Sequence, residues 1–146
     1  MRWTPAQVAC LAFGLWWTSN GLAVLLFGDS SLSTPAKHGH VGFLGLSIGV
    51  NGWHGLFHLS TGLAGVAVCR WARAAWAYAV ASGTLYVAAA LTGLITHDDA
   101  LGVIFVDTLG TVVHAGEGLV ILLAALASAP MRGQMSSRRR PREEMT

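Results

Sequence analysis

The segment VNGWHGLFHLSTGLAG, residues 50–65, sets Asn51, His54 and His58 into an otherwise apolar run. His54 and His58 are one helical turn apart, so a helix carries both imidazoles on one face. A second apolar segment holds Asp107, His114 and Glu117, and the three-residue step from His114 to Glu117 lets these two share a face as well. Three imidazoles and a carboxylate make His54, His58, His114 and Glu117 a candidate site for zinc or another divalent ion. A haem held between His58 and His114 is a second ligand reading, although a macrocycle would push apart helices whose glycines suit them to close contact. A proton or ion path through an oligomer, with Glu117 on the route, is a third. The plainest reading is a hydrogen-bonded clasp, in which neutral histidines cross-link helices and no cofactor binds.

Nothing in the chain points to an enzyme of a soluble type. There is no Ser-His-Asp order, no glycine-rich phosphate loop and no spaced carboxylate pair; Asp98 and Asp99 are adjacent and read as solvated loop. Cys10 and Cys69 lie within or at the end of apolar runs, form no Cys-x-x-Cys pair, and read as small buried hydrophobes.

The elements that must position the histidines follow from composition. Of 146 residues, 53% are hydrophobic and only 11% charged, against about 25% charged in a soluble domain. So few charges cannot clothe a water-soluble globule, and the chain reads as an all-α membrane protein. Four stretches approach the roughly 20 apolar residues that cross a bilayer: about 6–28, 50–69, 74–96 and 108–129. They are continuously apolar, not alternating, which favours helices over a barrel. The four-helix domain is expected over residues 1–130. A basic tail, 131–146, is expected to be disordered and cytoplasmic.

Orientation follows from the basic residues. Arg2, Arg70, Arg73, Arg132, Arg138, Arg139, Arg140 and Arg142 lie at the start, in the RWAR connection (70–73) and in the tail, with only Lys37 elsewhere. The positive-inside rule puts that connection and both termini in the cytoplasm of a plasma-membrane, multi-pass protein. The RRRPR run suits anionic lipid headgroups beside a membrane better than nucleic acid. The first span is too long, and too weakly basic at its flank, to be expected as a cleaved signal peptide. The apolar run VGFLGLSIGV (41–50) either extends the second span or lies at the interface.

The second and fourth spans echo one another. Asn51 falls on Asp107, His58 on His114, Gly62 on Gly118 and Leu63 on Leu119 at one constant offset. Gly14-x2-Trp17 of the first span likewise echoes Gly83-x2-Tyr86 of the third. The chain reads as two tandem helical hairpins, a parallel repeat about an axis along the membrane normal. Asn51 and Asp107 are expected as helix N-caps, which sets His58 and His114 about 10 Å deeper and Glu117 about 15 Å deeper, near the bilayer middle. The stripes His54, His58, Gly62 and Gly110, His114, Gly118 predict a seam between spans two and four, with His54 facing the space left at Gly110.

The pattern Asn51-x2-His54-x3-His58-x3-Gly62-Leu63, with Asp107-x6-His114-x3-Gly118, resembles the bacterial four-span membrane proteins grouped as domain of unknown function 4383. The resemblance covers nearly the whole chain except the arginine tail, and implies four spans and a plasma-membrane location without an activity. Gly55 and Thr111 stand where that family would carry asparagine, and Glu117 stands where it tends to be aliphatic. The expectation is a structural or accessory membrane subunit, acting alone, as a homo-oligomer or in a larger complex, with metal or haem binding through His54, His58 and His114 as the alternative.

Overall fold

A computed structural model describes residues 3–28, 30–32, 38–43 and 46–128. The arginine-rich tail lies outside the described residues. The described residues are mostly helical and form four helices: α1 (Pro5–Phe27), α2 (Gly52–Val68), α3 (Ala72–Thr96) and α4 (Thr108–Ala127). By length and composition α1, α3 and α4 are able to cross a membrane; α2, at 17 residues, is shorter. Helix α1 starts where Thr4 and Gln7 form a reciprocal capping box with Pro5 in the first turn, an arrangement that satisfies the orphan amides of a helix start.

The chain is not purely helical. Strands β1 (Gly39–Phe43) and β2 (Leu46–Val50) pair antiparallel before α2, and β3 (Asp98–Ala100) and β4 (Ile104–Val106) pair before α4. The apolar run at 41–50 therefore does not extend the second helix. Its β-branched Val41, Ile48 and Val50 suit a paired strand, and Asn51 begins the helix where the strand ends.

Helix α1 packs mainly on α2, and α3 mainly on α4. The glycine stripes make these two pairings, not the expected seam between α2 and α4. A Cβ at Gly62 would fall on the backbone nitrogen and hydroxyl of Thr18 in α1, and a Cβ at Gly118 would lie 2.8 Å from the carbonyl of Gly83 in α3. Gly110 instead faces Val106, the Asp107 carboxylate and Ile48. The reason is that the imidazoles of α2 and α4 fill the space between those helices, so backbones approach only along the adjoining, glycine-bearing faces. The two pairs join through Trp17 and Tyr86, both fully buried and stacked with ring centroids 4.0 Å apart. Cys10 and Cys69 are free and buried in the same core. Outward faces are apolar too: Phe27, Ile95 and Leu126 are more than two-thirds exposed, the surface that hydrocarbon covers more readily than water.

A methyl group at a backbone-to-backbone contact should be felt and one on the open face should not. Gly62→Ala should cost about 1–3 kcal/mol as an overpacking change. Gly116→Ala, whose Cβ meets nothing within 4 Å, should be neutral. Thermal unfolding of both variants in the same detergent checks this; equal midpoints would refute the close α1–α2 contact.

Candidate functional site

Each histidine-bearing helix is started by a residue that also reaches the other half of the molecule. Asn51 caps α2 by accepting from the His54 amide at 3.0 Å, while its Nδ2 donates to the Val103 carbonyl at 2.9 Å. Asp107 caps α4 by accepting from the Gly110 amide at 2.7 Å, and its other oxygen accepts from the Gly49 amide at 2.7 Å. The two strand pairs are thereby tied to one another directly above the imidazoles.

Below these caps the three rings converge. His58 Nε2 lies 3.0 Å from His54 Nε2 and 3.1 Å from His114 Nε2. One ligand-capable atom from each of the three residues lies within 4.8 Å of the other two, and all three side chains are buried. The outward nitrogen of His54 fixes where its proton sits. His54 Nδ1 is 2.8 Å from the Phe105 carbonyl; a carbonyl only accepts, so Nδ1 carries the proton and Nε2 the lone pair. The single proton of Thr61 goes to the Phe57 carbonyl at 2.7 Å. Tyr86 Oη lies 3.1 Å from Thr61 Oγ1 and 3.1 Å from His58 Nδ1 and is a hydrogen-bond partner to both.

His54 Nε2 bears a lone pair, so His58 Nε2 either donates to it or accepts from His114 Nε2, and does not do both. A neutral triad leaves one of the two short contacts without an aligned proton, and a cation placed among the three nitrogens would serve both. Tetrahedral zinc with bonds of about 2.0–2.1 Å holds its nitrogens about 3.3 Å apart, within a few tenths of an ångström of the two short separations.

Glu117 does not join the nitrogens. Its Oε1 accepts from the Trp16 indole N–H at 2.6 Å, while its Oε2 is buried without a hydrogen-bond partner. It stands on the wall of a cavity of about 120 Å³ that the three histidines also border. Tyr86, the Phe105 carbonyl and Trp16 belong to the site although their spacing does not mark them. For Tyr86 one signal existed: Gly83-x2-Tyr86 echoes Gly14-x2-Trp17 in the sequence. Of the other histidines, His38 stacks on Phe105 at 3.7 Å and lies edge-on to His40, both exposed.

Asn51 offers a clean dissection of cap from cross-link. Asn51→Asp keeps the capping oxygen but loses the donor to Val103, and should cost about 1–3 kcal/mol because the carbonyl is left facing a carboxylate. Asn51→Ala loses both and should cost about 1 kcal/mol more. Unfolding midpoints for the two variants order these losses; an Asp variant as stable as the parent would remove the cross-link from the account.

A family model described as domain of unknown function 4383 matches residues 7–127, and the chain belongs to that family. Comparison with curated proteins and with solved structures returned no match.

Proposed function

Taking membership of that family as the premise, we propose that the chain is a multi-pass membrane protein that binds one divalent transition-metal ion through His54, His58 and His114. The observation that carries the reading is the meeting of three buried ring nitrogens, with His58 Nε2 3.0 Å from His54 Nε2 and 3.1 Å from His114 Nε2. The partners behind two of the rings support it. A ligating imidazole ordinarily donates its second N–H to an oxygen that fixes its tautomer, and Phe105 and Tyr86 offer such oxygens to His54 and His58.

The frame of this reading is four spans in two tandem hairpins, with both termini in the cytoplasmic compartment and the metal in the outer half of the plasma membrane. Helix α2 serves as the fourth span, about 26 Å long at 1.5 Å per residue and paired with α1 along its glycine face. Equivalent contacts support the repeat: Gly14 meets Gly62 and Val66, as Gly83 meets Gly118 and Leu122. Equivalent residues also meet each other, His58 with His114 and Trp17 with Tyr86, as they must beside a twofold axis. Haem fits poorly, because a porphyrin exceeds a cavity of about 120 Å³ and cannot pass between nitrogens 3.1 Å apart. A clasp without a ligand stands as the competing reading.

Elemental analysis of protein purified in detergent without chelator decides between metal and clasp. The parent should carry close to one zinc, cobalt, nickel, copper, iron or manganese ion per chain, and the His58→Ala/His114→Ala variant none. Tyr86→Phe, which takes the acceptor from His58 Nδ1, should weaken affinity about 10–100-fold. A metal-free parent that also takes up none on dialysis would leave the clasp.

A further inference from the structure

The three-histidine site is incomplete as a structural metal centre. Structural zinc sites are closed by four protein ligands, whereas reactive ones have three and keep a position for water or substrate. Among the described residues the cluster contains three ligands and no fourth. All three rings border the cavity of about 120 Å³, so the side of the metal that the protein leaves bare is the side facing that space. Gly110 borders it too. Gly110 precedes His114 by the same four residues that separate His54 from His58. The place where a symmetric repeat would carry a fourth imidazole is thus occupied by a residue without a side chain.

Resting on the metal reading above, we propose that the ion's fourth position opens into this cavity and takes an exchangeable, small ligand that coordinates through a nitrogen or oxygen lone pair. The walls set the class of ligand. Ala23 and Val24 of α1, Ile48 of β2 and Val113 of α4 make them largely apolar. Among the described residues the one acidic group that borders the space is Glu117. The ion's own charge would attract any lone pair offered to it, so size and an apolar body, not charge, select the ligand. The volume is close to the roughly 150 Å³ of apolar cavities that accept a benzene-sized guest. The partly exposed residues on the rim, Ala23, Val113 and Gly42, place the mouth between α1 and α4 below the β1–β2 pair. In a bilayer that is a lateral mouth, and a lipid-soluble ligand reaches it without crossing the strand pairs.

The test uses the full chain in detergent, loaded with Co²⁺, whose visible spectrum reports its coordination. Imidazole is the probe. It should shift the bands saturably while cobalt stays bound. Ala23→Phe, on a cavity wall that touches no ligand, should keep one Co²⁺ per chain and lose the imidazole response at least about tenfold. Val113→Phe blocks the same space from α4 should the first variant fail to fold. A Co²⁺ spectrum indifferent to imidazole would mean a closed site and overturn the inference while leaving the metal reading intact. A response unchanged in the filled-cavity variants would also overturn it. No cobalt on the parent at all would overturn both.

Discussion

The structure turns on what surrounds three buried imidazoles. Each neutral ring presents one donor and one acceptor, and burial of either without a partner costs on the order of 1–3 kcal/mol. The bundle holds His54 and His58 from outside, setting each Nδ1 against an oxygen, the Phe105 carbonyl and the Tyr86 hydroxyl, while His114 Nδ1 is buried without a partner. The three Nε2 atoms then meet with more short contacts than a neutral set has protons to serve. The two helix pairs therefore meet around a polar cluster as well as around the stack of Trp17 on Tyr86.

The loops exist to hold that geometry. A one-residue slip of β2 against β4 would part Gly49 from Asp107 and move the frame that holds Phe105 over His54. The reciprocal caps prevent it, since Asn51 and Asp107 each start one helix while holding the connection that leads into the other. Both polar ends of each cap are used, so neither side chain leaves a polar atom unpaired. The glycine faces complete the arrangement from behind. Close approach of α1 to α2, and of α3 to α4, stacks Trp17 on Tyr86 and so fixes the hydroxyl that orients His58.

Much of this was legible in the residues. Continuous apolar runs announced the helices, Asn51 and Asp107 marked two of their starts, and the repeat brought His58 toward His114. The short strands were not legible, because runs such as VGFLGLSIGV are equally apolar as helix, strand or interfacial segment, and periodicity alone does not separate them. The partner of the glycine stripes was misjudged for a physical reason. Small residues and histidines alternate on one stripe of α2, but a helix face is wide enough for the two to diverge: His54 and His58 turn to α4 while Gly62 turns to α1. Glu117 was assigned to the metal set on spacing from His114, yet side-chain direction sends it to Trp16. Backbone carbonyls such as that of Phe105 carry no residue signature, so a site that uses them is always partly hidden in sequence.

The departure from symmetry is the most informative feature that remains. A perfect repeat would place two histidines on each half and close four nitrogens around a cation, a stable and inert arrangement. The chain instead has His54 on one half and Gly110 on the other, where the Val106 side chain closes on the glycine and the cavity shared by the three histidines and Glu117 lies alongside. Three nitrogens hold a cation less tightly than four, so affinity alone does not favour the arrangement. What it would favour, on the metal reading proposed above, is exchange at the ion, with a carboxyl group bordering the same space.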